Sequence, residues 1–233
     1  GKDTPFNNPN GSQSLLNDRP PLVLRGVVRQ GNGASYPLTV IVNHLRSLNG
    51  VDDTGPGSSG WPTEGDRVRT KRGLQAAYLA ELVDSFQKAA PNEKIVLVGD
   101  FNAFEFNDGY VDVLGIVRGN PAPEAEVLTY LASPLERPLV DGSELIANAD
   151  ERYSYVFNGS AQTLDHVLVN EALLLDAGIS DVAVEHARIN ADFGVHHFAT
   201  AGSPLRTSDH DPLRLSIGVS AFRFADLRVT ASS

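Results

Sequence analysis

Five short polar motifs in this chain each follow an apolar run that is typical of a β-strand. They are Asn43-His44-Leu45, Asp100-Phe101-Asn102, Leu164-Asp165-His166, Asn190-Ala191-Asp192 and Ser208-Asp209-His210. Any one of them is most simply a turn or a helix cap, because Asp and Asn favour those positions. Together they supply carboxylates, amides and imidazoles, which are the groups needed for metal-assisted cleavage of a phosphate ester.

Oxygen-bearing side chains in these motifs predict a metal site. Asp100 and Asp209 offer carboxylates, and Asn102 offers an amide oxygen. Hard divalent cations such as Mg²⁺ prefer oxygen ligands of this kind. The sequence therefore predicts Asp100, Asn102 and Asp209 as metal ligands.

Two histidines in the motifs can transfer protons. His44 and His210 can serve as acid and base, since the pKa of an imidazole lies near neutrality. Asp165 can hold His210 in one tautomer and stabilise its charged form. For His44 taken alone, a half-buried imidazole with a hydrogen-bond partner is the simpler interpretation.

The composition excludes several classes of protein. The chain has 233 residues and no cysteine, which excludes thiolate metal sites and cysteine nucleophiles. Its formal net charge of -10 excludes nucleic-acid binding through overall charge, so such a substrate needs a local basic rim or a bridging cation. No apolar run predicts a membrane span, and the lack of Cys and Met suits an extracellular protein.

The first half of the chain predicts two strands, a loop and a helix. Strands are expected over 22–29 and 38–44, joined by a turn at Gly31-Asn32-Gly33, with the second strand buried on both faces. The Gly-, Ser- and Pro-rich stretch over 47–65 is typical of an active-site loop. An amphipathic helix is expected over 66–88.

The second half alternates strands with short helices. Strands are expected at 95–100, at a hairpin of 153–157 with 164–169, at 213–217 and at 222–229, with a helix over 171–177. This alternation predicts an α/β fold with a mixed sheet.

A basic strip on the expected helix has two interpretations. It consists of Arg67, Arg69, Lys71 and Arg72. Such a run is either a solvated helix face or a surface that meets a polyanion.

Four blocks of the sequence resemble the DNase I-like endonuclease/exonuclease/phosphatase superfamily in their order and approximate spacing. They are Asn43-His44-Leu45-Arg46-Ser47, Gly99-Asp100-Phe101-Asn102-Ala103, Leu164-Asp165-His166-Val167-Leu168-Val169 and Ser208-Asp209-His210-Asp211-Pro212. Within that superfamily, Arg19-Pro20-Pro21-Leu22, the helix with Gln75-Ala76 and the run over 155–165 look most like bacterial extracellular nucleases. The resemblance extends over about 19–217.

The resemblance implies a fold and a division of the chain. The fold would be a two-sheet, four-layer α/β sandwich, incomplete at its N-terminus. Residues 1–18 would be a surface segment, 19–219 the C-terminal part of the domain, and 220–233 a terminal strand and tail. Secretion from a bacterium is also implied.

The resemblance also implies residue roles. The catalytic residues would be His44, Asp100, Asn102, Asp165 and His210. The metal ligands would be Asp100, Asn102 and Asp209, with Mg²⁺ as the cofactor and Mn²⁺ or Ca²⁺ as alternatives. Substrate would be bound by Arg19, Asn43 and Arg46. Which histidine is the acid and which the base stays open.

The chain departs from the superfamily pattern at its start. Members carry an N-terminal strand ending in Asn and a Glu that ligates the metal, both upstream of the block around Arg19, and this chain begins after them. The expectation is either the C-terminal part of a longer enzyme or a partial homologue. An apolar sheet face would then be bare and would be covered by a missing N-terminal fragment or a second copy.

Three functions remain open at this point. The first is a nuclease that cuts DNA or RNA, with nucleic acid as its partner. The second is a phosphoesterase that acts on a phospholipid or a sugar phosphate. The third is a noncatalytic homologue. The absent Glu ligand favours it, and a set of five side chains that such a module would not need argues against it, namely Asp100, Asn102, Asp165, Asp209 and His210.

Overall fold

The computed structural model describes residues 1–29, 35–198 and 202–219. The strands are β1 (Pro5–Asn7), β2 (Gln13–Leu15), β3 (Leu22–Arg29), β4 (Ser35–His44), β5 (Ile95–Asp100), β6 (Leu139–Asp141), β7 (Tyr155–Phe157), β8 (Ser160–Gln162), β9 (Asp165–Asn170), β10 (Ile179–His186) and β11 (Leu213–Val219). The α-helices are α1 (Glu64–Ala89), α2 (Val113–Arg118) and α3 (Glu171–Leu174). None of these helices has both the length and the apolar composition needed to cross a bilayer. The expected turn at Gly31-Asn32-Gly33 and the expected strand over 222–229 lie outside the described residues.

The largest sheet in the described chain has five strands in the order β3-β4-β5-β9-β6. Strands β4 and β5 are parallel, and the other neighbouring pairs are antiparallel. A parallel pair needs a long crossover connection, which α1 provides between β4 and β5. The mixed α/β sheet predicted from the sequence is confirmed.

Helix α1 begins at a capping box and covers one face of this sheet. The Asp66 N–H donates to Thr63 Oγ1 at 3.0 Å, and the Asp66 carboxylate accepts from the Thr63 N–H at 3.2 Å. Leu79 and Val83 of the helix pack in one cluster with Leu97 of β5. Burying each such side chain contributes about 1.5–3 kcal/mol, so this face holds the helix in place.

Strands β10 and β11 form a second, antiparallel sheet on the opposite face. Val184 of β10 packs with Val96 and Val167 of the five-stranded sheet. Successive strand residues point to opposite faces, so β5 sends Leu97 to the helices and Val96 to the second sheet. The expected sandwich of two sheets with helices is confirmed, and the described residues supply three of its four expected layers.

Strand β3 lies at the edge of the sheet and is exposed along its whole length. Its Leu22 and Leu24 are 68% and 61% exposed. On the neighbouring β4, Ile41 is fully buried, whereas Val42 is 42% exposed. The prediction that β4 is buried on both faces is therefore wrong, because at this point the strand is covered only on its helix side.

The hairpin predicted for 153–157 with 164–169 is also wrong in its pairing. Strand β7 turns through Asn158-Gly159, both at positive φ, and pairs with β8. The run after it forms β9, which lies between β5 and β6. A strand in the middle of a sheet is buried on both faces, which explains the unbroken apolar run of β9.

The segment before β3 contains a small hairpin of β1 and β2. Phe6 and Leu16 in this segment are buried. The indole Nε1 of Trp61 donates to Asn8 Oδ1 at 3.0 Å. This contact joins the hairpin to the loop that precedes α1.

Candidate active site

Three of the predicted catalytic side chains form a row across three neighbouring strands. His44 is paired in register with Asp100, and Asp100 is paired in register with Asp165. Residues opposite one another in a sheet point to the same face, so the three side chains lie together. His44 Nε2 is 3.4 Å from Asp100 Oδ2. The polar motifs at the strand ends thus meet at one place.

His210 joins the row from the segment that precedes β11. Its Nδ1 donates to Asp165 Oδ2 at 2.6 Å, and its ring centroid lies 4.6 Å from that of Tyr155. Burial lowers the pKa of His210, but the hydrogen bond to Asp165 and the charges of nearby carboxylates outweigh it, so the pKa ends above its ordinary value. The carboxylate holds the ring in one orientation and leaves Nε2 for a substrate.

Asp100 is placed by the glycine that precedes it. Gly99 has φ +136°, and a Cβ there would lie 1.9 Å from the carbonyl oxygen of Asn43, so only glycine permits this approach of β4 and β5. Burial raises the pKa of Asp100, and the charge of Asp165 raises it further. A buried carboxylate whose charge is destabilised by a second carboxylate favours a bound cation or a proton.

Asn102 follows in the left-handed region, at φ +48°. Its Nδ2 donates to Leu45 O at 3.0 Å and to Asp100 Oδ2 at 2.9 Å. Both donors of the carboxamide are therefore used within the protein. Among the described residues no donor is bonded to its Oδ1, which leaves that oxygen for a ligand.

A cavity of about 690 Å³ lies over the row. Eight of the residues predicted for the site line it, namely Arg19, His44, Arg46, Asp100, Asn102, Asp165, Asp209 and His210. Asn43, predicted to bind substrate, is not among them. It precedes His44 on β4, so its side chain points to the other face, where it is buried.

The donor set fits a divalent cation. Asp100, Asp165 and His210 each offer one ligand atom, and these atoms lie within 4.8 Å of one another. Asp209 lines the same cavity but stands outside this group. The carboxylates of Asp100 and Asp165 and the amide oxygen of Asn102 lie at the same half-buried cavity. Such oxygen atoms match the preference of Mg²⁺, Mn²⁺ and Ca²⁺.

Two residues that position His210 were missed by the sequence analysis. The buried carboxylate of Asp211 accepts hydrogen bonds from the backbone N–H groups of Ile189, Asn190 and Ala191 at 2.7–3.1 Å. The Asn190 side chain donates to His210 O at 2.7 Å. The sequence analysis identified the motif Asn190-Ala191-Asp192 in this loop, but it did not predict the hydrogen bonds of the loop to His210 and Asp211.

A buried ion pair lies behind the row. His166 Nε2 donates to Ala103 O at 2.8 Å, and Nδ1 is 3.3 Å from Asp141 Oδ2. Burial lowers the pKa of His166, but the carboxylate of Asp141 outweighs it and raises the pKa above its ordinary value. Since Nε2 is a donor, a proton on Nδ1 as well makes the ring a cation that matches the carboxylate.

The basic strip of α1 fits neither interpretation offered by the sequence. Arg69, Lys71 and Arg72 are buried, and Arg67 pairs with Glu64. Lys71 Nζ lies 2.6 Å from the carboxylate of Asp18, and Arg69 bonds to Asp66 at 2.5 Å. These cations are used inside the protein, so this helix face does not meet a polyanion.

Comparison with known proteins identifies the family. The model of the Endonuclease/Exonuclease/phosphatase family matches residues 20–210. No curated protein matches the chain.

Solved structures with a similar fold include TDP2, an APE2 catalytic domain and a beta toxin. Truncated TDP2 of Caenorhabditis elegans is 12% identical, with a TM-score of 0.45 over 84% of this chain and 66% of that one. The APE2 catalytic domain of Xenopus laevis is 14% identical, with a TM-score of 0.47 over 85% and 56%. Beta toxin of Staphylococcus aureus is 16% identical, with a TM-score of 0.42 over 83% and 56%. This chain thus spans roughly three-fifths of the length of the structures it resembles.

Proposed function

Because the chain belongs to the Endonuclease/Exonuclease/phosphatase family, we propose that it hydrolyses phosphodiester bonds of DNA or RNA with the help of a divalent cation. The observation that carries this proposal is the row of His44, Asp100 and Asp165, completed by His210. Packing alone does not require four titratable side chains to meet at one cavity. Hydrolysis of a phosphodiester requires groups of this kind.

The cation and the phosphate share one side of the cavity. Asn102 and Asp209 are the residues that would hold Mg²⁺ beside the Asp100 carboxylate, with Mn²⁺ or Ca²⁺ as alternatives, and a bound cation would neutralise part of the phosphate charge. Arg19 and Arg46 line the same cavity and provide the local positive charge that a chain of net charge -10 needs for an anionic substrate.

Protons are handled by Asp100 and the two histidines. Asp100, whose pKa is raised by burial, accepts a proton from the attacking water as the new phosphorus–oxygen bond forms. His210, kept cationic by Asp165, donates from Nε2 to a phosphate oxygen and stabilises the added charge. His44 gives its proton to the leaving oxygen as the old bond breaks.

A second, more apolar cavity supports a nucleic-acid substrate over a sugar phosphate. It has a volume of about 290 Å³, contains Phe104, Tyr155 and Phe157 in its wall, and shares Asn102 and His210 with the first cavity. Bases stack on such rings, with about 1–3 kcal/mol for each stacked base. A nucleotide next to the scissile phosphate would therefore find a stacking surface within reach.

The direct test is cleavage of a supercoiled plasmid and of single-stranded DNA and RNA oligonucleotides by the purified chain. We expect cleavage with Mg²⁺ or Mn²⁺ that EDTA abolishes. H210N should lose cleavage. H196N is the matched control, because His196 is exposed and does not line the cavity, and it should keep cleavage. Cleavage that persists in H210N, or in EDTA, would remove the basis of the proposal.

Other substrates are tested under the same conditions. Phosphatidylcholine vesicles and glucose 6-phosphate represent the phospholipid and sugar-phosphate alternatives. Hydrolysis of either one in preference to DNA and RNA would change the substrate class. Binding of oligonucleotide with no hydrolysis under any ion would identify a noncatalytic homologue.

The bare apolar surface of β3 supports a further part of the proposal, that another polypeptide segment covers it. The observation is the exposure of Leu22 and Leu24 on β3, which pairs with β4 and has no second neighbouring strand among the described residues. The occupant would be an N-terminal fragment or a second copy. Mass spectrometry under native and denaturing conditions separates the two, and a strictly monomeric, single-fragment protein that is fully active contradicts both.

A further inference from the structure

Arg72 is a fully buried cation on helix α1, 1% exposed. Its Nη1 donates to Arg46 O at 2.6 Å, and its Nη2 donates to Asn102 O at 2.8 Å. Among the described residues no carboxylate lies within salt-bridge distance of its guanidinium, and its Nε has no partner. Its two hydrogen-bond acceptors are thus backbone carbonyl groups, while the carboxylates of Asp108 and Asp100 act on its charge only from a distance.

The two carbonyl groups belong to the segments that carry the active site. Arg46 follows β4 and Asn102 follows β5, and the side chains of both residues line the large cavity. The two segments also contact one another, since Asn102 Nδ2 donates to Leu45 O. One turn further along α1, Gln75 Oε1 accepts from the Arg46 N–H at 2.8 Å. Helix α1 therefore holds both segments through the side chains of Arg72 and Gln75.

Packing does not explain the choice of arginine at this position. Burying a charge with no carboxylate in salt-bridge contact is costly, and a Leu or Met would fill the space without that cost. What a guanidinium adds is a planar fork whose two donors fix two acceptors at a set separation. Burial lowers the pKa of Arg72 to about 10, so the fork stays charged at neutral pH.

Arg69 provides a natural comparison on the same helix. It is also buried, and its Nη1 donates to Val51 O at 2.6 Å. Unlike Arg72, it has a carboxylate partner in Asp66, and its carbonyl acceptor lies in a loop outside the large cavity. Both arginines are buried, with exposures of 8% for Arg69 and 1% for Arg72, and their main difference is the group that each one holds.

We propose that Arg72 is a positioning residue for phosphodiester hydrolysis: by holding the carbonyl groups of Arg46 and Asn102, it sets the spacing of the two strand-end segments around the scissile phosphate. This role rests on the proposed function. It acts on the placement of Asn102, which has a left-handed backbone that a loose segment would not maintain. Misplacing a catalytic group by about 1 Å costs about 100-fold in rate.

The test compares four variants, R72K and R72M with the matched controls R69K and R69M. The readouts are the melting temperature and the steady-state kcat and KM on a single-stranded DNA oligonucleotide with Mg²⁺. We expect R72M to lose about 100-fold in kcat with KM within about threefold, and R72K to recover part of that loss. Both Arg69 variants should keep kcat within about threefold of the wild-type value, even if their melting temperatures fall as far as those of the matching Arg72 variants.

Equal losses of kcat in R69M and R72M at equal melting temperature would overturn the proposal, as would a change confined to KM. If R72M does not fold, R72K against R69K gives the same comparison. If Arg72 had a purely structural role, the loss of kcat would scale with the loss of melting temperature in the Arg72 variants and in the Arg69 variants alike.

A second readout does not depend on activity. Amide hydrogen exchange should become faster at Leu45, Arg46 and Asn102 in R72M, and should stay as in the wild type at those amides in R69M. Unchanged exchange in R72M would overturn the proposal. If the wild type cleaves no phosphodiester, the proposed function fails, while the exchange experiment still decides whether Arg72 fixes the two segments.

Discussion

The stability of this protein is expected to fall between pH 6.5 and pH 4 because of one buried histidine, His186. It is the last residue of β10, it is buried, and within the described part of the chain neither ring nitrogen has a hydrogen-bond partner. Burial lowers the pKa of His186 to about 4, and the charge of Arg188 contributes in the same direction. The folded state therefore holds this ring neutral.

The size of the effect follows from linkage. The unfolded chain takes up a proton at its ordinary pKa of 6.5, and the folded chain does so only near 4, so protons favour unfolding between these values. Stability from this group is fully present above pH 6.5 and declines as the pH falls. At pH 5 the loss is about 2 kcal/mol, which corresponds to about 4–8 °C in melting temperature for a chain of this size.

Urea unfolding of wild type and H186L at pH 7.5 and pH 5.0 tests this. Subtracting one protein from the other isolates His186, because His166 and His210, whose folded pKa values are raised, contribute with the opposite sign in both proteins. Between pH 7.5 and pH 5.0 the free energy of unfolding should fall by about 2 kcal/mol more in the wild type than in H186L. H196L is the control, since His196 is exposed and should behave as the wild type. If H186L and wild type respond to pH alike, His186 is not a buried neutral ring and the reasoning is refuted.

Three further outcomes are expected. D165N should lower kcat about 1000-fold in steady-state assays at nearly unchanged melting temperature, because the His210 ring loses the acceptor that orients it. A loss below tenfold would contradict the role of Asp165 in orienting His210. G99A should cost more than about 3 kcal/mol in urea unfolding, since its Cβ would lie 1.9 Å from a carbonyl oxygen of β4, and a stable G99A would show that the strands can move apart. T63A should cost about 1 kcal/mol through loss of the capping box, measured by thermal unfolding, with unchanged kcat as the sign that α1 has kept its place.

Most strands and helices, and the meeting of eight candidate residues at one cavity, could be predicted because local rules govern both. Apolar runs fix the strands, and a polar motif at a strand end places its side chain at the edge of a sheet. What could not be predicted is the alignment of strands far apart in sequence. The pairing of Asp100 with Asp165, and the removal of Asn43 from the cavity by one residue of alternation, depend on register, which tertiary contacts decide.

The errors arise where tertiary structure overrides composition. Arg69, Lys71 and Arg72 look like a solvated helix face, yet loops that fold over α1 supply carbonyl and carboxylate partners for them. Asp211 looks like part of a turn, and only the neighbouring loop shows that it holds His210 in place. Secretion and the division into 1–18, 19–219 and 220–233 stay predictions.

The row of His44, Asp100 and Asp165 also bears on how the chain reaches its folded state. Its members are distant in sequence, and they become neighbours only when a parallel pair and a long-range antiparallel pair have both formed. Pairings of this kind carry a large loop-closure cost and form slowly. During refolding, we expect helix α1 to gain its signal in circular dichroism early and the proposed cleavage activity to return last, with the final docking of the segment that carries His210. If the proposed function holds, recovered activity will report completed folding.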